Sequence, residues 1–273
     1  MAGWGTADFF VAQAVRKTTV FKTFVWSQII GIILFALIFL LFFHLPKIDL
    51  SILGIILIAG FLGVISYLAF YKGLQIGQVS VISPIAACWA AVTVILSLIF
   101  LHEKLNLFQS VGVSLAILGA VLTSFRLHEL FTLKKRAFVK GIHYALIAML
   151  SWGIYFVLIG SLLPKIGWFL SIFLIKAVAV GYLLLYSLGT KKEITFPKKA
   201  TLFVFLIGLL ETIAFLAYGI GVNSEYTSIV APIGAAFPMV TIILARIFFK
   251  ERLEINQKIG IVSILTGLIL LSM

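Results

Sequence analysis

Three ionisable residues, Asp8, Lys176 and Glu211, stand inside apolar stretches of the chain. Charge is costly in hydrocarbon, so such a side chain faces a cavity or a partner by default. A carboxylate held there can bind a proton or a cationic group. Lys176 can neutralise Asp8 or Glu211 in a structural pair, snorkel to an interface, or join both in a proton-coupling site. Glu211, Phe215 and Tyr218 have i, i+4, i+7 spacing and share one helix face, which places a carboxylate beside two rings. Gly63, Tyr67 and Phe70 repeat that spacing earlier in the chain. Trp4 lies one turn before Asp8, and Trp152 and Tyr155 form a similar pair. These rings suit a binding surface, although an aromatic stripe also serves as core or as an interfacial anchor. Pro84 and Pro232 complete the candidate substrate-binding set, because each interrupts a helix and frees a carbonyl among small neighbours. Such a kink either bends during gating or is static and filled by packing.

Other chemistries leave no trace. His44, His102, His128 and His143 are scattered without ligand spacing, and no glycine-rich loop ends in Lys-Ser/Thr. Neither metal nor cofactor is therefore expected. No cluster of nucleophile and base indicates an enzyme. Cys88, the single cysteine, cannot form an internal disulfide.

The elements that position these residues are membrane spans. Of 273 residues 63% are hydrophobic and 11% charged, with a mean hydropathy of +1.22, far too apolar for a soluble domain. The net charge of +12 sits in short segments beside apolar runs, where it meets lipid headgroups rather than nucleic acid. A span needs about 20 apolar residues. That template gives ten segments, approximately 2–15, 23–43, 50–70, 79–101, 107–125, 141–161, 168–188, 200–218, 226–249 and 257–273. The chain has no basic n-region followed by a cleavage site, so no cleavable signal peptide is expected.

The stretch 60–124 recurs as 208–272, a shift of 148 positions without a gap. About two dozen of the 65 aligned positions are identical. Among them Pro84 pairs with Pro232, Glu103 with Glu251, Gln109 with Gln257, Gly112 with Gly260 and Gly119 with Gly267. The shift also lays Gly3 to Gly5 over Ser151 to Gly153, so the repeat spans nearly the whole chain. The domains are a first five-helix repeat at 1–125, a basic linker at 126–140 and a second five-helix repeat at 141–273. Five is odd, so the second copy threads the membrane in the opposite direction, giving an all-α integral membrane protein of two inverted repeats. At about 14 residues the first segment is short. Either it is a half-helix or the natural start lies upstream of Met1, and the second is the expectation.

The copies differ in charge. The mates of Asp8, Lys176 and Glu211 are Phe156, Gln28 and Gly63. The glycines 112, 119, 260 and 267 stripe segments 5 and 10 for packing, and Glu103-Lys104 and Glu251-Arg252 are expected to cap or neutralise the turns before those segments. The loops after odd-numbered segments hold 17 of the 21 lysines and arginines. The positive-inside rule puts those loops in the cytoplasm of a multi-pass cell-membrane protein, with both termini outside.

Duplicated five-helix halves, Trp-Gly near the start of each (Trp4-Gly5, Trp152-Gly153), and a proline-kinked segment followed by Glu-basic-Leu and a glycine-striped segment resemble the EamA-type drug/metabolite transporters. The Glu-basic-Leu triplets are Glu103-Lys104-Leu105 and Glu251-Arg252-Leu253. The resemblance covers essentially the whole chain. It implies a central substrate route between segments 1, 3, 4, 6, 8 and 9, supported by 5 and 10, and facilitated or proton-coupled exchange. It also implies cytoplasmic termini; the charge count points the other way and is followed for this chain.

The expected function is secondary transport, exporting or exchanging a small polar or amphipathic metabolite such as an amino acid by alternating access. The alternatives are a flippase for a lipid or lipid-linked carrier and a non-transporting scaffold subunit. The expected partners are a small-molecule substrate and membrane lipid. Both a monomer and a homodimer are compatible with the sequence.

Overall fold

The computed structural model describes residues 1–44, 48–77, 79–128, 141–250 and 253–272, with backbone alone for Leu74, Val79, Ser80 and Phe249. Lys47, most of the basic linker (Lys134, Lys135, Arg136 and Lys140 included), Glu251 and Arg252 lie outside the described residues. The first copy supplies α1 (Ala2–Ala14), α2 (Val20–Phe42), α3 (Leu50–Ile76), α4 (Val79–Ala87), α5 (Trp89–Phe100) and α6 (Leu107–Thr123). The second supplies α7 (Ile142–Ile166), α8 (Trp168–Thr190), α9 (Thr201–Ser224), α10 (Thr227–Ala235), α11 (Phe237–Phe249) and α12 (Ile255–Leu271).

Among the described residues seven helical stretches are long and apolar enough to cross a membrane: α2, α3, α7, α8, α9, and the pairs α4–α5 and α10–α11. The 17-residue α6 and α12 are shorter, and α1 has 13 residues, about 20 Å at 1.5 Å per residue. All three are nonetheless packed into the bundle.

Local sequence explains the helix ends. Thr19 accepts a hydrogen bond from the Lys22 amide at the start of α2. A capping box of Asn106 and Gln109 opens α6, and Glu254 and Gln257 do the same for α12 at the equivalent repeat positions. Gly167, with φ of 78°, turns the chain between α7 and α8.

Segments 4 and 9 are not continuous. The helix breaks at Cys88 and at Ala236, which are repeat mates, with ψ of 0° and 5°. Pro238 follows only the second break, because its mate is Ala90. The shared cause is the proline four residues earlier, Pro84 or Pro232, which lacks an amide donor and crowds the preceding turn.

Helix packing obeys a two-fold exchange. The pairings α1 with α9, α1 with α11 and α2 with α9 recur as α7 with α3, α7 with α5 and α8 with α3. Across α2 and α8, Phe21 meets Tyr186, Gln28 meets Lys176 and Phe35 meets Phe169, so these mates run antiparallel. The α6–α12 pair is antiparallel too. A Cβ on Gly112 would lie 2.8 Å from the Gly267 carbonyl oxygen, and one on Gly119 2.6 Å from that of Gly260. The glycine stripe therefore lets two backbones touch, and Ser263 Oγ donates to the carbonyl of its own mate, Leu115. Antiparallel mates mean that the copies are inverted.

Candidate functional site

A cavity of about 390 Å³ lies between the copies. Its wall takes Trp4 and Asp8 from α1, Gln28 from α2, Gly63, Tyr67 and Tyr71 from α3, Trp152 and Tyr155 from α7, Lys176 from α8, and Glu211 and Phe215 from α9. Residues near the lysine-rich ends of their helices, including Val11, Ala12, Phe24 and Ser124, also line it. The cavity thus runs from mid-bundle to the face that carries Arg16, Lys17, Lys22 and Lys191.

Apolar helices put polar groups in register at its centre. Gln28 Nε2 donates to Glu211 Oε2 at 2.6 Å, and Lys176 Nζ donates to Gln28 Oε1 at 2.9 Å. Lys176 Nζ stands 3.8 Å from Glu211 Oε2 and 3.9 Å from the centre of the Phe215 ring. The amide faces a donor with its oxygen and an acceptor with its nitrogen, which leaves one orientation for it. Lys176 is only 6% exposed, so this triad is a largely buried ion pair bridged by the Gln28 amide at the cavity edge. Asp8 differs. It is exposed to the cavity and has no hydrogen bond or ion pair to another described residue. Of the two pairings open to Lys176, the structure contains the one with Glu211.

The aromatic residues form two clusters related by the repeat. Trp152 meets Tyr67 edge-on at 5.2 Å and Phe70 at 5.4 Å, on the open wall. Trp4 meets Phe215 edge-on at 5.2 Å and Tyr218 at 5.9 Å, at the inner end. Phe156, the mate of Asp8, stacks on Trp89 at 4.4 Å and closes the floor. Further out Phe43 stacks on Phe169 at 4.1 Å beside Trp168. Trp4 can lie against α10 because residue 234 is glycine; a Cβ there would be 2.8 Å from its ring.

Of the candidate residues, Trp4, Asp8, Tyr67, Trp152, Tyr155, Lys176, Glu211 and Phe215 share this cavity. Tyr218 is buried in the floor, and Pro84 and Pro232 lie behind the wall, where their neighbours Ser83 and Ala86 face it in the first copy. Gln28, Tyr71 and Phe24 were not among the candidates. Gln28 carried a usable signal, an amide in an apolar span directly opposite its lysine mate in the repeat. Glu103 corrects an expectation. Rather than serving the turn before α6, it accepts the Thr227 amide on Oε1 and the Ser228 amide on Oε2, both at 2.8 Å, at the start of α10 in the other copy.

An apolar helical bundle of two inverted copies around a one-sided cavity is the architecture of a membrane transporter. The sequence matches the EamA-like transporter family over residues 1–125 and 139–273, one match per copy, and the chain belongs to that family. It is similar to an uncharacterized protein of Methanocaldococcus jannaschii, 36% identical over 121 residues that make up 44% of this chain and 88% of that protein. A protein of known crystal structure superposes with a TM-score of 0.80 at 15% identity, covering 100% of this chain and 97% of the other, and so shares the fold.

Proposed function

We propose that the protein is a secondary transporter that exports or exchanges a small amphipathic metabolite, of the size and polarity of an amino acid, by alternating access. The observation that carries this reading is the one-sidedness of the cavity. At the lysine-poor face α5 packs on α10, whereas at the lysine-rich face the equivalent helices, α4 and α11, have no comparable packing among the described residues. An inverted repeat that is closed at one end and open at the other is one of two states related by exchange of its halves. By the positive-inside rule the open face is cytoplasmic.

In this reading the aromatic walls hold the apolar body of the cargo. Asp8, accessible and unpaired among the described residues, takes its cationic group or a proton. Glu211 is committed to Lys176 and Gln28, so it acts when that pair opens, either through loss of the lysine or through proton uptake. Trp4, Tyr67, Trp152 and Tyr155 line the route.

The test begins with ligand-induced thermal stabilisation of the purified protein by amino acids, nucleosides and sugars. Counterflow of the best ligand in proteoliposomes follows, at several pH values, for the parent, Asp8→Asn and Glu211→Gln. Lost or pH-insensitive exchange in the variants is the expected result. Unchanged rates and pH profiles in both would remove the carboxylates from the mechanism.

A further inference from the structure

The contact at the closed face is of an unusual kind. α10 begins without a cap of its own: Tyr226 occupies the N-cap position and makes no side-chain hydrogen bond, and the first turn has no acidic residue. The amides of a helix start need acceptors and carry the positive end of the helix dipole. Glu103 meets both needs with two charge-assisted bonds, reaching over 124 and 125 residues of sequence from the other copy. α6 and α12 are capped by residues of their own turns, Asn106 and Glu254. Separating the copies leaves those local caps intact and breaks the Glu103 contact.

The surroundings point the same way. Thr227 and Ser228 are 2% and 0% exposed, so their amides have no water to turn to while the face is shut. Close by, on α5, α9 and α10, the buried hydroxyls of Ser97, Tyr218 and Ser228 have no hydrogen-bond partner among the described residues. A permanent seal would be apolar or fully hydrogen-bonded, because each orphaned group costs about 1–3 kcal/mol. Water reaching this face satisfies all three. Closure therefore leans on Glu103, and opening is helped by wetting.

We propose that Glu103 is a latch: its carboxylate, by capping α10 across the repeat boundary, holds the lysine-poor face shut and sets the balance between the two access states. It is a positioning residue rather than a cargo ligand, since it lies outside the cavity wall. The inference rests on the alternating-access reading but not on the nature of the cargo.

The labelling readout needs no substrate. In the full-length protein with Cys88→Ser, single reporter cysteines are placed at Ser228, on the shut face, and at Ser124, on the cavity wall, and a membrane-impermeant maleimide is applied to either side of proteoliposomes. Glu103→Gln should raise the labelling rate at position 228 about tenfold and lower the rate at 124. An unchanged rate at 228 overturns the latch. So does a rise at both positions, which reports general loosening. If Glu103→Gln fails to yield monodisperse protein, Glu103→Asp, whose shorter side chain can reach one amide, is held to the same outcomes. Counterflow that continues while labelling at 228 stays unchanged disproves the latch alone and leaves the transport reading standing.

Discussion

The two copies meet the same ring geometry with opposite consequences. Trp152 with Tyr67 and Phe70, and Trp4 with Phe215 and Tyr218, have matching partners and the same 5.2 Å edge-on contact. All three rings of the first cluster line the cavity, while in the second only Trp4 and Phe215 do, with Phe215 and Tyr218 each 3% exposed. The difference comes from what surrounds each cluster. At the position where the first copy has Asp8, the second has Phe156, which fills space and stacks on Trp89. Where the second copy has Glu211 the first has Gly63, against which Tyr155 packs; a Cβ there would lie 3.1 Å from the ring. Shared residues thus set the frame, and unshared ones place charge on one side of a nearly symmetric cavity. The end contacts break the symmetry as well: α5 packs on α10, whereas their mates α11 and α4 have no comparable packing among the described residues.

The largest effect that would sharpen this contrast is expected at the buried pair. Lys176→Met leaves Glu211 charged without its cation and should cost about 3 kcal/mol in detergent unfolding, with most of it restored in Lys176→Met/Glu211→Gln. If the single and double variants unfold alike, the pair is not coupled. Next comes Asp8→Asn, expected to lower exchange about 100-fold while changing stability by less than about 0.5 kcal/mol. Equal losses of stability and transport would make Asp8 a packing residue instead. Gly119→Val and Gly267→Val probe the symmetric part. Their side chains would run into the carbonyls of Gly260 and Gly112 at 2.6 and 2.7 Å, and each should cost about 2 kcal/mol. Costs that differ by more than about 1 kcal/mol would break the two-fold equivalence of α6 and α12. The smallest effect is at Gly181, where a Cβ meets nothing within 4 Å, and Gly181→Ala should stabilise by about 0.5 kcal/mol through helix propensity.

The repeat was legible because its backbone-shaping residues, Pro84 and Pro232 or Gly119 and Gly267, are rare types that chance does not align. The cavity charges were legible too, since a carboxylate in an apolar run has few other reasons to exist. Gln28 was harder to find: an amide is tolerated in a span at modest cost, and its role appears only when α2 and α8 run antiparallel and bring it to its own mate. Glu103 was misread because a carboxylate just before a helix suggests a local cap. Asn106 already filled that role, and no sequence rule links position 103 to amides more than a hundred residues away.

By itself, the sequence determined the membrane solvent, the duplication and the residues that carry charge, because each follows from composition or spacing along the chain. Which charge meets which, and that Glu103 accepts the amides that begin α10 in the other copy, were decided by tertiary structure alone. Those depend on the direction and depth at which one copy crosses the other, and inversion brings together residues that no local periodicity relates.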